Sequence, residues 1–432
     1  MYYSPLDSPC VPKTWNISDD LGQIEYIFSD KTGTLTQNVM EFQKCSINGV
    51  TYGEAITEAQ RGAERRNGRT DLPNPEEQSI RMAKLRQEMQ QLLTRGFKNR
   101  YVQPDKVTLV STKLAEDLTD RSGRQRTHII SFFRALAVCH TVLADRPDPG
   151  QHPYLEYKAE SPDESALVGA ARDAGFPFIG KTRERIDIEV MGQSESYVLL
   201  KVLEFNSTRK RMSVIVRNPQ GQIVLYCKGA DSVIYERLAE DHDTVLKEKT
   251  SKDMETFANS GLRTLCIAYR SMSDEEYLEW AQVYDAAASS IKDRDEKIDK
   301  ANALVEHSLH VLGATALEDK LQEGVPEAIE RLHSAGIKLW ILTGDKVQTA
   351  IEIGTSFKPP ISSRSLKSTS FQLQFAENGH GGHDLICGNS RWSSGTDRSR
   401  LEQDCLHLGA TVMESKYAWF LVKCQGFFCC SY

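Results

Sequence analysis

Residues Asp30-Lys31-Thr32-Gly33-Thr34-Leu35-Thr36 set out a compact piece of chemistry. They follow a short apolar run, Ile24 to Phe28, that reads as a buried strand. An aspartate at the carboxyl end of such a strand stands where open α/β sheets place ligands. A carboxylate attacks poorly unless a metal and cations neutralise its target. Lys31 offers a cation, Thr32 and Thr34 offer hydroxyls, and Gly33 lets the backbone approach an anion closely. The chemistry suggested is attack of Asp30 on a terminal phosphate, giving an aspartyl-phosphate. As composition alone, the same residues are a turn after a strand and need no catalysis.

Other clusters could meet the same kind of ligand. Thr343-Gly344-Asp345-Lys346 follows a second apolar run, Gly336 to Leu342. There the threonine hydroxyl can hold a phosphate oxygen and Asp345 can cap a helix over Val347 to Ile353. Phe205 to Ser213 puts an aromatic face, able to stack on adenine, beside three consecutive cations, Arg209, Lys210 and Arg211, able to meet phosphates. Lys228-Gly229-Ala230-Asp231 puts an ammonium at a strand end next to a glycine. By composition both of these are turns between strands. Ser161, Pro162 and Glu164 fit an N-cap, a first helical position and a capping box, which would tie up the Glu164 carboxylate.

The complete string DKTGTLT resembles the phosphorylation motif of P-type ATPases, a haloacid-dehalogenase-like family that forms a phospho-aspartate. The run LDSPCVPKTWNISDDLGQIEYIFSDKTGTLTQNVMEF is similar to the phospholipid-transporting, or flippase, branch and in particular to its fungal members. The clusters at Glu164, Phe205 and Lys228 match nucleotide-domain motifs of the family in order, as does Gly261-Leu262-Arg263-Thr264-Leu265. Thr343-Gly344-Asp345-Lys346 resembles the second haloacid-dehalogenase motif. The resemblance implies an ATP-driven flippase cycling through phospho-Asp30 with Mg2+. It implies that Glu164, Phe205, Ser207, Lys210, Lys228 and Arg263 hold ATP, with Glu164 approaching the adenine. It implies that Asp30, Lys31, Thr32, Thr343, Gly344 and Asp345 hold phosphates, and that Asp30 and the Thr32 carbonyl hold magnesium. The partners it implies are a phospholipid, reached through a membrane domain, and an accessory subunit.

The elements that must position these residues follow from periodicity. The expected fold class is α/β: an incomplete haloacid-dehalogenase-like parallel sheet, the phosphorylation domain, with a large inserted antiparallel α+β nucleotide-binding domain. Tyr197–Phe205, Arg211–Arg217 and Gly221–Lys228 read as an antiparallel meander, with a turn at Asn218-Pro219-Gln220-Gly221. Apolar strands at Leu309–Thr315 and Gly336–Leu342 flank an amphipathic helix, Val325–Ser334, and there the parallel α/β pattern resumes. The strand before Thr343 is expected beside the strand before Asp30. Ile80, Met82, Leu85, Met89 and Leu92 or Leu93 fall at helical spacing in a polar stretch and predict an exposed helix. Ser131–Thr141 predicts a buried helix, with His140 a satisfied core residue. Ile298, Ala301, Leu304 and Val305 predict the buried stripe of a charged helix. The expected domains are a post-membrane linker 1–19, phosphorylation segments 20–45 and 309–356, the nucleotide-binding domain 46–308, and a disordered tail 357–432.

The chain has 432 residues, 26% charged and 40% hydrophobic, with a net charge of −7. That argues against a nucleic-acid partner. No stretch approaches the ~20 apolar residues of a membrane helix. The expectation is a chain that alone is soluble and cytoplasmic, cut at both ends from a membrane protein. Five of the ten cysteines are scattered and read as buried free thiols. The other five, Cys387 to Cys430, crowd into the tail, where the resemblance stops. Out-of-frame translation and a genuine disordered extension both fit that tail. The family's later Gly-Asp-Gly-x-Asn-Asp string, with its metal-binding aspartates and upstream lysine, is absent. Losing one such charge-stabilising element costs ~3 kcal/mol or more, so weak ATP binding and poor autophosphorylation are expected. A catalytically dead ATP-binding fragment is the alternative. A soluble haloacid-dehalogenase phosphatase is a weaker third reading, because so long an insert is foreign to it.

Overall fold

In a computed structural model of the chain, the described residues are 2–3, 7–9, 22–57, 60, 75–145 and 155–343, with four short strands beyond them. Two compact units result. One draws on Met1–Lys31, Pro326–Gly344 and Ile361–Tyr432, the other on Thr32–Val325 with Asp345–Pro360. After a two-residue antiparallel pair, Tyr2–Tyr3 with Ser8–Pro9, the first unit continues with strand β1 (Tyr26–Asp30).

In the second unit come β2 (Thr36–Ile47), β3 (Val50–Tyr52), α1 (Pro75–Gly96), α2 (Thr112–Thr119) and α3 (Arg124–Val138). The ribbon β4 (Leu143–Asp145) and β5 (Glu156–Lys158) leads to α4 (Pro162–Asp173). Then follow β6 (Phe178–Lys181), β7 (Arg185–Val190), β8 (Gln193–Asn206), β9 (Arg211–Arg217), β10 (Ile223–Gly229) and the short α5 (Asp231–Tyr235). Helix α6 (Thr244–Asn259), β11 (Arg263–Met272), α7 (Asp274–Ala288), α8 (Arg294–Val305) and β12 (His310–Leu321) complete it. Nine of these strands make one sheet in the order β3-β2-β12-β11-β10-β9-β8-β7-β6, antiparallel throughout.

The alternation of side chains divides this sheet between two cores. Met212, Val214 and Val216 of β9 pack on one face with Phe132, Phe133 and Leu136 of α3 and Leu114 and Leu118 of α2. Ile215 faces the other way, toward Met254, Trp280 and Val305 of α6, α7 and α8. The meander strands fall where the sequence puts them. Their turn is closed by Asn218 Oδ1, which accepts from the N–H groups of Gln220 and Gln222, and Gly221 supplies φ +85°.

Several expectations shift. Met89 and Leu93 are buried, so α1 docks through its last turns rather than lying fully exposed, while Ile80 is exposed. Leu304 is exposed and Asn302 takes its place on the buried side of α8. The boundaries at 45/46 and 308/309 meet no break in the sheet. Instead β12 pairs with β2 from Gly313–Ile47 to Leu321–Thr36, so His310–Leu321 belongs to the antiparallel sheet. Cys45, Cys139, Cys227 and Cys266 are buried free thiols, as their scatter suggests. Cys10 lies outside the described residues.

The first unit continues with α9 (Val325–Ser334, its opening residue at the seam) and β13 (Lys338–Thr343). On α9 the partly buried Ile329 and Leu332 contrast with exposed neighbours. Strand β13 runs parallel to β1, with Lys338 opposite Tyr26 and Leu342 opposite Asp30. The strand begins two residues later than the apolar run suggests and is only partly buried; Phe28 is exposed and stacks on Trp340. Strands β14 (Gln372–Glu377) and β15 (His383–Gly388) extend this sheet antiparallel, giving the order β14-β15-β13-β1, mixed rather than purely parallel. Val412–Ser415 and Ala418–Leu421 form a separate pair. Among the described residues no helix is long and apolar enough to cross a membrane.

Candidate functional site

The nucleotide-motif residues of the second unit meet at one end of the large sheet. Asn206, at the end of β8, pairs with Arg211 at the start of β9, and Arg211 pairs with Gly229 at the end of β10. Gly229 in turn pairs with Cys266, three residues into β11 from Arg263. Phe205, Lys228 and Arg263 therefore stand on strands spanning three inter-strand steps, about 14 Å. The N-terminus of α4 supplies the acidic partners. Lys228 Nζ donates to Glu164 Oε1 at 2.6 Å, and Arg263 Nη1 lies 3.0 Å from Asp163 Oδ2.

Helix α4 begins as the sequence predicts, with Ser161 as N-cap and Pro162 in the first turn. The capping box does not form. The Ser161 side chain makes no cap hydrogen bond, and the Glu164 carboxylate points to the sheet. Its Oε2 accepts from the Thr141 hydroxyl at 2.6 Å and the Thr141 N–H at 3.2 Å. Lys228 competes successfully because a mostly buried ammonium needs a counter-charge more than a helix N-terminus needs a cap. Burial alone would raise the Glu164 carboxyl; Lys228 beside it, with hydrogen bonds from Lys228 and Thr141, outweighs this and holds it below the usual carboxylate range. Behind it His140 is a core residue, as expected. One ring nitrogen meets the Ala137 carbonyl and the other accepts from the Val142 N–H. Burial, helped by Lys228, pushes that imidazole down to about 3, so it is neutral.

Phe205 is 64% exposed, an aromatic face open to a planar base. Ser207 and Lys210 are exposed on the loop that follows. The three adjacent cations do not act together: Arg209 and Arg211 are buried against Glu306, and Lys210 is the one whose charge reaches solvent. Lys210 has φ +51°, and its position is set by its N–H to the Asn206 carbonyl and its own carbonyl accepting from Ala230 N–H. Gly229 is packed so closely that an added Cβ would lie 2.6 Å from Arg211 Cβ. The sequence reading missed Thr141, Asp163 and Glu306. Each is joined to its partner by sheet pairing and helix docking rather than by spacing, and no local signal marks it.

In the first unit Asp30 is exposed at the end of β1, and Oδ1 accepts from the Lys31 N–H at 2.7 Å. Lys31 is 3% exposed, so its main-chain N–H meets Asp30 while its side chain is buried. Where the second unit begins, Thr32 (φ −77°, ψ 124°) and Gly33 (φ +77°, ψ −9°) have the backbone of a type II turn, whose third position requires a positive φ. The expectation that the two apolar strands are neighbours holds: Thr343 is one residue beyond the residue opposite Asp30. Gly344 and Asp345 lie outside the described residues. Among the described residues no three His, Cys, Asp or Glu side chains gather as a metal group. An exposed carboxylate nevertheless fits Mg2+, which takes one or two carboxylates together with substrate phosphates and water.

Comparison with known proteins gives the family that the chain resembles. Residues 128–324 match the family described as P-type ATPase, cytoplasmic domain N. Phospholipid-transporting ATPase DNF1 of Chaetomium thermophilum is 50% identical over 367 residues, covering 82% of this chain and 23% of that protein. Phospholipid-transporting ATPase dnf2 of Schizosaccharomyces pombe is 50% identical over 358 residues, 82% of this chain and 25% of that protein. Phospholipid-transporting ATPase IC of Homo sapiens is 45% identical over 354 residues, 82% of this chain and 26% of that protein. The chain thus spans about a quarter of the length of the curated relatives it matches.

Proposed function

From the premise that this chain is a relative of the phospholipid-transporting P-type ATPases over most of its length, we propose that it is the ATP-using portion of such a pump. The second unit binds ATP at the sheet end. Phe205 stacks on the base, Glu164 and Lys228 frame its polar edge, and Ser207, Lys210 and Arg263 meet ribose or phosphate. Asp30 attacks the terminal phosphorus, ADP leaves, and an aspartyl-phosphate remains. Asp30 and the Thr32 carbonyl would hold magnesium, which when bound would supply charge neutralisation at the transferred phosphate. The hydroxyl of Thr343, with Gly344 and Asp345, holds the phosphate oxygens. In the whole protein the cycle drives a phospholipid across a membrane, with the chain on the cytoplasmic side and an accessory subunit alongside.

The observation that carries the reading is the convergence of Glu164, Phe205, Lys228 and Arg263, scattered over 100 residues of sequence, at one end of one sheet. A turn between strands needs no such convergence. The test is incubation with γ-labelled ATP and magnesium. Faint acid-stable, hydroxylamine-labile label, low because the late charge-stabilising elements are absent, is expected in the wild-type chain and none in Asp30→Asn. Label persisting in Asp30→Asn overturns the assignment of the nucleophile. ATP binding with no label in the wild type returns a nucleotide-binding piece without phosphoryl transfer.

A further inference from the structure

The loop that carries Phe205 is held from behind by a buried polar network that nucleotide contact does not explain. Glu306, at the C-cap of α8, is fully buried. Its carboxylate accepts from Arg211 Nε at 2.6 Å and from Ser213 Oγ at 2.6 Å, and lies 3.4 Å from Arg209 Nη1. Arg209 turns this charge into a loop geometry. Its Nη2 donates to the Glu204 carbonyl at 2.8 Å, the peptide immediately before Phe205. Its main-chain N–H donates to Asn206 Oδ1 at 2.7 Å, on the residue immediately after Phe205. The Asn206 amide donates in turn to both Asp299 oxygens, at 2.8 and 2.7 Å, and Asp299 also lies 3.6 Å from Arg209 Nε. Both flanks of an exposed aromatic are thereby fixed to α8, which lies on the opposite face of the sheet from Glu164 and Lys228.

Removing two arginines and a glutamate from water is costly, and apolar packing of similar volume is often as stable. Such a network is better suited to specifying one conformation than to adding stability. We propose that Glu306 and Asp299 are positioning residues for ATP: through Arg209 and Asn206 they hold the 204–210 loop so that Phe205 is already set for the base before it arrives. The inference rests on the ATP-site reading above. A loop fixed in advance loses less conformational freedom on binding, so releasing it weakens affinity without removing any atom that touches ligand.

The experiment is ATP titration by calorimetry on the full chain and its variants, with melting temperature measured alongside. Phe205→Ala, an exposed truncation, should melt like wild type and bind ATP about 5- to 150-fold more weakly, from the worth of base stacking. Asp299→Ala should bind about fivefold more weakly, the equivalent of one hydrogen bond. Asp299→Asn, which keeps one acceptor for Asn206, should lose less. The Phe205→Ala/Asp299→Ala double variant should lose clearly less than the sum of the two single losses, because much of what Asp299 does is exerted through the ring it positions. Glu306→Gln should behave as Asp299→Ala with a larger loss; should it fail to fold, the Asp299 series decides. Additive losses in the double variant, or wild-type affinity in Asp299→Ala, overturn the positioning role while leaving the site in place. Unchanged binding in Phe205→Ala overturns the site itself.

Discussion

Replacing Lys228 by methionine separates what its ion pair does for folding from what its charge does for ligand. Lys228 and Glu164 are 2.6 Å apart, with side chains 8% and 13% exposed. Breaking a buried pair by removing one partner costs about 3–5 kcal/mol, because the other charge stays behind. Here Glu164 keeps two hydrogen bonds from Thr141 and some contact with water, which brings the expected loss to about 2 kcal/mol at neutral pH. The pH dependence identifies the cause. In the wild type the folded carboxyl is held low, so its contribution is fully present above the unfolded value of ~4.3 and is lost as pH falls through the folded value. Without Lys228 only the two Thr141 hydrogen bonds oppose burial, and the carboxyl rises. The variant then gains stability by taking up a proton as pH falls from about 7 to about 5, so its deficit narrows. Each unit of rise returns ~1.4 kcal/mol. Urea unfolding at the two pH values measures the deficit, and calorimetry measures ATP affinity. Lys228→Met/Glu164→Gln should recover most of the stability and none of the affinity. A deficit equal at both pH values, or within the ~0.5 kcal/mol of a surface substitution, refutes the buried-pair reasoning.

Two further substitutions test the frame around the sites. Gly313→Ala should destabilise by ~3 kcal/mol or more, because its Cβ would sit 2.2 Å from the Ser46 carbonyl oxygen on the neighbouring strand; thermal melting measures it. Gly33→Ala meets no atom within 4 Å but inherits φ +77°, so about 1–2 kcal/mol of local strain is expected. Its melting temperature should fall by about 2–8 °C while phosphorylation by labelled ATP falls further, and an unaltered labelling rate would show that the type II turn at Thr32-Gly33 does not serve the chemistry.

The Asp30 string, the order of the nucleotide motifs and the meander strands were legible without coordinates, because each is local: a turn chemistry, an alternation, a glycine where the backbone must bend. The neighbouring of β1 and β13 was also legible, since each ends in a polar turn at the carboxyl edge of an apolar run. The shared sheet of β2 and β12 was not. Alternation tells a strand which faces it has, and nothing about which of many strands will pair with it across more than two hundred residues. Nor does sequence say which of several available partners a charge will choose. Glu164 had a cap three residues away and took a lysine from another strand, and Arg209 and Arg211 looked like phosphate ligands and went to Glu306. Those choices are set by burial, which raises the cost of leaving an ion unpaired, and burial exists only once the helices have closed over the sheet. The sequence by itself determined the candidate reacting groups and their order; the tertiary structure decided which charges stay exposed, as at Lys210, and which are consumed against Glu306, as at Arg209 and Arg211.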